Sequence, residues 1–150
     1  MCPTSSCETP AQCERQALFA EVDGLLRRSC GAARCHGVLP AFDLLYLGLD
    51  PCDQRAPLVD VQSVEYDRMQ RIAPGDPDNS WLMVKLTAPI DEDYRIQFTP
   101  DADWQPPSAS PWDEIGFGIR MPPPSNPITD GEIELFHRWI EAGAPGPTGN

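Results

Sequence analysis

Two cysteines and a histidine form the stretch of the chain with the clearest chemical potential. Cys30 and Cys35 are separated by four residues, 31–34 (Gly-Ala-Ala-Arg), and His36 follows directly. Two thiols can bond to the two vinyl groups of a haem while the neighbouring imidazole ligates the iron. The usual spacer has two residues, so two extra residues must loop out here, which small side chains permit. The stretch predicts one covalently attached haem with His36 as an iron ligand.

A methionine much further along the chain could complete the coordination of such an iron. Met121 is followed by three prolines at 122–124, which fix the backbone as a ligand-bearing loop requires. An electron-transfer iron commonly takes a Met thioether opposite a His, and this raises its reduction potential. An isolated methionine more often fills a gap in a core. The upstream Cys-Cys-His triplet and the helix expected immediately afterwards favour the ligand role for Met121.

All the cysteines lie within the first 52 residues of the chain. Such clustering indicates a disulfide framework, a metal site or a covalently held cofactor. If two of them hold haem, four remain and allow three pairings. Cys7–Cys13 is locally closable, which would leave Cys52 for Cys2, whereas a lipid on Cys2 would favour Cys13–Cys52 or Cys7–Cys52. A zinc site is the less favoured alternative, because exported proteins usually oxidise such clusters. The six cysteines are at positions 2, 7, 13, 30, 35 and 52.

Charge and hydropathy exclude several classes of function. The chain has 11 Lys+Arg against 23 Asp+Glu, a formal net charge of −12, which argues against nucleic-acid binding and favours a partner with a basic docking face. No apolar run is long enough to span a bilayer. The sequence opens Met1-Cys2-Pro3 without a secretory signal. Because a haem-bearing or oxidised protein needs export, we expect a periplasmic or envelope location, a signal absent from this sequence, and a possible lipid on Cys2.

Three helices must position these residues. Apolar residues at helical spacing predict a first helix over about 14–28, after a Cys-rich irregular arm at 1–13. The Asp-Pro pair at 76–77 predicts a second helix ending before Pro89. The capping-box pair Thr129 and Glu132 predicts a last helix that stops at Gly143. Its apolar face is predicted to consist of Ile133, Phe136 and Ile140, with Trp139 beside it.

Long segments without periodicity separate these helices. Residues 38–64 are expected to be loop with a short helix or extended piece. The Pro-rich segment 89–127 is expected to be a long functional loop inserted into a domain spanning 14–145. The tail, 146–150, is expected to be frayed.

Other residue types weigh less in the functional interpretation. His137 could be an alternative iron ligand but fits a helix-surface position better. Trp81 and Trp139 are expected to pack in the core, whereas Trp104 and Trp112 in the Pro-rich loop are candidates for covering the haem or for contact with a partner. The acidic residues at 91–93, 101 and 103 indicate a solvated turn more than a docking patch or calcium site.

Several strings together resemble the bacterial class I cytochrome c-like domain. They are PGDPDNSWLMVKL (74–86), RMPPP (120–124), ITDGEI (128–133) and WIEAGAP (139–145), with the Cys-Cys-His-Gly stretch before them. The chain is similar over about residues 15–145 to single-haem modules of planctomycete and myxobacterial cytochromes. The resemblance implies a small all-α cytochrome c-like fold of three to five helices, with His36 proximal and Met121 distal to the iron. The four-residue spacer departs from the pattern, and leaves a haem-free Cys30–Cys35 disulfide as an alternative.

The leading functional hypothesis is an electron-transfer c-type cytochrome and not an enzyme. It would carry one haem c, and its partner would be a redox protein or a membrane electron-transfer complex. The second hypothesis is a haem-free, disulfide-stapled accessory subunit of an envelope complex. A third is an enzymatic haem site in which a ligand displaces Met121.

Overall fold

The computed structural model describes residues 6–31, 35–37, 45–47, 52–106 and 116–150. Within these ranges the regular structure is helical, and β-pairing is confined to isolated bridges. The expected all-α class is therefore confirmed. The helices are α1 (Pro10–Leu25), which continues into a π-helical turn (Leu26–Cys30), a 3-10 turn (Pro77–Asn79), α2 (Trp81–Thr87) and α3 (Asp130–Glu141).

Helix α1 begins earlier than the sequence analysis predicted. The Thr9 side chain accepts a hydrogen bond from the Gln12 amide, and Pro10 occupies the first helical turn, so these two residues supply the start signal. The arm 1–13 is therefore not irregular throughout, because its last four residues are helical. A disulfide between Cys7 and Cys13 joins the segment before α1 to the first turns of the helix.

The predicted second helix is divided into a 3-10 turn and α2. Asp76 caps the turn by accepting from the Asn79 amide, as expected. The backbone then becomes extended at Ser80, a fully buried residue whose hydroxyl donates to the Asp76 carbonyl (2.8 Å). The first amide of α2, on Trp81, donates to the carbonyl of Gln70 (2.9 Å). The Trp81 amide, which would bind a carbonyl four residues earlier in a continuous helix, thus binds a carbonyl outside the helix instead.

Helix α3 matches its prediction closely. Thr129 and Glu132 form both halves of the capping box. Gly143 follows the helix with a φ of 91°, a left-handed conformation that favours glycine. Phe136, Trp139 and Ile140 are fully buried, so the predicted apolar face is the face that enters the core.

The main core lies where the three helices meet, and α1 contacts α3 directly. Burial of these apolar side chains removes the surface that drives folding. Its fully buried members include Val22 from α1, Leu86 from α2, Phe136, Trp139 and Ile140 from α3, and Ile72 from the segment before α2.

A second, aromatic cluster packs the Pro-rich segment against α2. Tyr66, Trp81, Phe98, Trp104 and Phe117 lie with neighbouring ring centroids 5.1–6.0 Å apart. Trp104 is only 7 % exposed, so its predicted role in partner contact is wrong: this part of the loop folds back onto the domain. The other loop tryptophan of that prediction, at position 112, lies outside the described residues.

The C-terminal tail is ordered against α1, contrary to the expectation of fraying. Arg15 donates from Nε to the Gly149 carbonyl (2.6 Å), and Gln12 donates from its side-chain amide to the Thr148 carbonyl (2.9 Å). Gly146 and Gly149 are buried. The α1 side chains bind backbone carbonyls of the tail. Every residue has such a carbonyl, so the sequence gives no signal for this packing.

Candidate haem site

The segment around His36 is closed by main-chain hydrogen bonds. The His36 amide donates to the Cys30 carbonyl (3.2 Å), and the His36 carbonyl accepts from the Leu47 amide (2.8 Å). The first bond brings the two ends of the four-residue spacer together. It places the backbone of His36 beside the backbone of Cys30.

The His36 ring is held in one orientation. Its Nδ1 lies 2.9 Å from the carbonyl oxygen of Leu45, and the side chain is buried. A carbonyl oxygen can only accept, so Nδ1 carries the hydrogen, and the lone pair of the neutral ring is on Nε2. Metal-binding histidines commonly make such a bond through their second nitrogen, which fixes the ring and raises its basicity.

A partly open cavity of about 70 Å³ brings His36 and Met121 together. Both side chains line it, along with the apolar residues Leu45, Leu58 and Leu82 and the indole of Trp81. Mostly apolar walls with a few converging polar groups are typical of cofactor sites. The two predicted iron ligands therefore line the same cavity.

The two thiols are reduced and do not line this cavity. Cys30 packs against the main core, and burial, followed by the charge of Cys35, raises the pKa of the Cys30 thiol to about 12. The Cys30–Cys35 disulfide of the alternative interpretation is not formed in this structure.

The remaining cysteines agree in part with the predicted pairings. Cys7 and Cys13 are bonded with their Cα atoms 5.1 Å apart, which confirms the locally closable pair. Cys52 is also disulfide-bonded. Cys2, which the prediction assigned either to Cys52 or to a lipid, lies outside the described residues.

Met121 is anchored by its main chain to the end of α2. The Met121 amide donates to the Lys85 carbonyl (2.8 Å), and Arg120 donates from Nε to the Leu86 carbonyl (2.7 Å). These carbonyls belong to the last turn of a helix, where intrahelical partners are missing. The predicted ligand loop thus supplies hydrogen-bond donors to the free carbonyls at the C-terminal end of α2.

A buried ion pair on the cavity wall was missed by the sequence analysis. Lys85 donates from Nζ to Glu65 (2.8 Å), and the indole of Trp81 donates to the other oxygen of the same carboxylate (2.6 Å). All three residues line the cavity. The spacing of Trp81 and Lys85, four residues apart on α2, could have indicated a shared face. Nothing local pointed to Glu65, which precedes them by a loop.

The other candidate residues lie elsewhere. His137 is half-buried on α3 and does not line the cavity. The carboxylates of Asp101 and Asp103 pair with Arg68, so they act as ion-pair partners in a loop. Asp91 closes its own acidic turn by accepting from the Arg95 amide. Across the described ranges, His, Cys, Asp and Glu side chains form no group of three or more that could hold a metal ion.

The donor set of the site fits a covalently attached haem. It offers an imidazole with its tautomer fixed, a thioether on the same cavity as that imidazole, and two reduced thiols that lie outside the cavity. Comparison of the chain with protein-family models, curated proteins and solved structures found no match.

Proposed function

We propose that the protein is an electron-transfer c-type cytochrome with one haem bonded to Cys30 and Cys35 and ligated by His36 and Met121. The observation that carries the proposal is that His36 and Met121 line one cavity while Leu45 orients the imidazole. The haem would supply an iron that alternates between two oxidation states. No substrate is transformed, so the protein is proposed to be a carrier and not an enzyme.

The chain's own residues would set the properties of that iron. The Leu45 carbonyl holds the proton on Nδ1 and so keeps Nε2 as the ligating atom. The leucines on the cavity wall exclude water, which disfavours the more highly charged oxidised form. A thioether from Met121 also favours the reduced form. These contributions together support a carrier of relatively high reduction potential.

The proposed location is the periplasm or cell envelope. The Cys7–Cys13 disulfide supports it, because disulfides persist in oxidising compartments. None of the helices in the described part of the chain is long and apolar enough to cross a membrane. The proposed partner is a redox protein or membrane electron-transfer complex with a basic face. The net charge of −12 and the exposed turn at 91–93 support it.

A haem-free accessory subunit is the alternative function. It would dock through apolar loop residues, but Trp104 and Phe117 are buried inside the domain. The described part of the loop therefore exposes less apolar surface for docking than the sequence suggested. The enzymatic hypothesis, in which a ligand displaces Met121, gains no specific observation.

The test is production of the exported chain in a host that attaches haem to thiols. We expect an intact mass raised by one haem and a visible spectrum with a sharp α-band on reduction. Cys30→Ala/Cys35→Ala should abolish the covalent mass increase. His36→Ala should lose low-spin ligation, whereas His137→Ala, its matched control, should retain it. A wild-type mass equal to the bare oxidised polypeptide would refute the cytochrome and leave the accessory subunit.

A further inference from the structure

The segment that carries Met121 rests on a buried ion pair. Lys85 and Glu65 side chains are only 8 % and 15 % exposed. Besides its bond to Glu65, the Lys85 ammonium donates to the Phe117 carbonyl (2.7 Å). Breaking one partner of a buried pair is costly, because the other charge is left without compensation. The pair is therefore a fixed feature of the cavity wall.

Lys85 holds this segment at two points. Its ammonium binds the Phe117 carbonyl, and its own carbonyl accepts from the Met121 amide. Between these points Gly118 crosses close above the pair with a φ of 71°. A Cβ there would lie 3.3 Å from Lys85 Nζ and 3.5 Å from a Glu65 oxygen. The residues 117–121 thus form a short arch that is tied at both ends to one lysine.

Glu65 in turn fixes the lysine. One carboxylate oxygen accepts from Lys85 Nζ and the other from the indole of Trp81. The Glu65 amide is itself bound to the Ser63 hydroxyl (3.2 Å). Because α2 supplies both Trp81 and Lys85, the carboxylate sets the direction of the ammonium relative to the helix.

We infer that the Glu65–Lys85 ion pair positions Met121 toward the iron by gripping the 117–121 arch. The inference rests on the proposed function. Neither side chain is assigned a bond to the iron, so both are positioning residues. Without the grip, the arch would lose the hydrogen bond at the Phe117 carbonyl. It would still be held by the packing of the Phe117 ring and by its remaining main-chain hydrogen bonds, but the Met121 amide bond would open more often. The thioether would then compete less well with outside ligands.

Two variants test the inference in the haem-loaded chain. Lys85→Met removes the grip but leaves a buried carboxylate. Glu65→Gln/Lys85→Met removes both charges and still offers Trp81 an acceptor, so the double variant keeps the test valid if the single one folds poorly. Arg68→Gln is the matched control: it removes a cation from a loop ion pair that does not touch the arch.

The first measurement is the affinity of the ferric protein for imidazole, which must displace Met121. We expect the affinity to rise about tenfold in both variants toward the limit set by Met121→Ala, and to stay unchanged in Arg68→Gln. The second measurement is exchange of the Met121 amide hydrogen by NMR, expected to accelerate at least tenfold.

Wild-type values for both measurements in the double variant would overturn the inference. So would faster exchange with an unchanged imidazole affinity, because the pair would then hold the backbone without positioning the ligand. If the wild-type chain takes up no haem, the proposed function fails. In that haem-free chain, the exchange rate of the Met121 amide hydrogen still shows whether the ion pair positions the arch.

Discussion

His36 and Met121 line one cavity although α2 and most of the Pro-rich segment separate them in sequence. Each reaches it through a main-chain anchor on a different part of the fold. His36 is held by the 45–47 segment, and Met121 by the end of α2. The relative placement of the two candidate ligands is thus fixed by tertiary contacts.

Replacement of Met121 by Ala should remove the sixth iron ligand. In the ferric protein we expect loss of the weak near-infrared charge-transfer band that reports Fe–S(Met) ligation, because the cavity side chain supplying sulfur is gone. Absorption spectroscopy of the oxidised protein measures it. His137→Ala should leave the band intact. The assignment is wrong if His137→Ala gives a high-spin spectrum and Met121→Ala has no effect.

The Cys30 thiol should be inert in the folded chain made without haem attachment. Its pKa is raised from 9.0 to about 12, so at pH 8 the reactive thiolate is about a thousandfold scarcer than at the ordinary pKa. Iodoacetamide labelling followed by peptide mass spectrometry measures the rate, which should rise with pH up to about 12. In urea, Cys30 should label quickly, while Cys7 and Cys13 stay unlabelled without reductant. Equal rates for Cys30 in the folded and unfolded chain would contradict its burial.

Glu132 should make stability depend on acid pH. Hydrogen bonds from the Thr129 backbone and hydroxyl, and the charge of Arg28, hold the pKa of this carboxyl below its ordinary value. A pKa lowered by folding stabilises above the unfolded-state value, and this contribution is lost as pH falls through the folded-state value. Glu132→Gln should therefore cost about 0.3–1 kcal/mol at pH 7 and nothing measurable in strong acid.

Urea denaturation followed by circular dichroism, at neutral and acid pH, measures this difference. Glu134→Gln, an exposed change on the same helix, is the control and should have little effect at either pH. A Glu132→Gln deficit that persists undiminished in acid would show that charge is not its source.

The packed tail should make Gly149 sensitive to substitution. Its φ is 74°, and a Cβ would lie 2.7 Å from the Gln12 carbonyl oxygen. Gly149→Ala should destabilise the domain by about 1–3 kcal/mol. Gly24→Ala is the matched control: a Cβ on this α1 residue meets nothing within 4 Å, and alanine should stabilise a helix by up to about 1 kcal/mol. Urea midpoints measure both changes, and a wild-type midpoint for Gly149→Ala would mean that the tail does not pack.

Features with local signals were predictable from the sequence. The capping box and apolar spacing of α3 sit within a single helix, and the prediction was confirmed. Thr9 and Pro10 are an equally local start signal for α1. The cysteines around them favoured the prediction of an irregular, disulfide-bonded arm over residues 1–13. Features that depend on distant partners were not predictable. The second helix is interrupted at Ser80 because the amides of the next two residues, Trp81 and Leu82, donate to the carbonyls of Gln70 and Arg71.

The candidate site likewise contains residues that were predictable from the sequence and residues that were not. Cys30, Cys35, His36 and Met121 were named from residue type and spacing, because thiols, imidazoles and thioethers have few competing uses in such a pattern. The Glu65–Lys85 pair could not be named, since charged residues are usually exposed. Only folding shows that Glu65 meets α2 at the cavity wall.

The contact between α1 and α3 also imposes an order of events. These helices lie near opposite ends of the described chain, so the main core closes only after α3 has been synthesised and a long intervening loop has been brought together. Cys30, at the end of the turn that follows α1, packs against that core. A thiol that is buried on closure must react before it. Haem would therefore be attached to Cys30 while the chain is still unfolded, and folding would then bury the thioether bond.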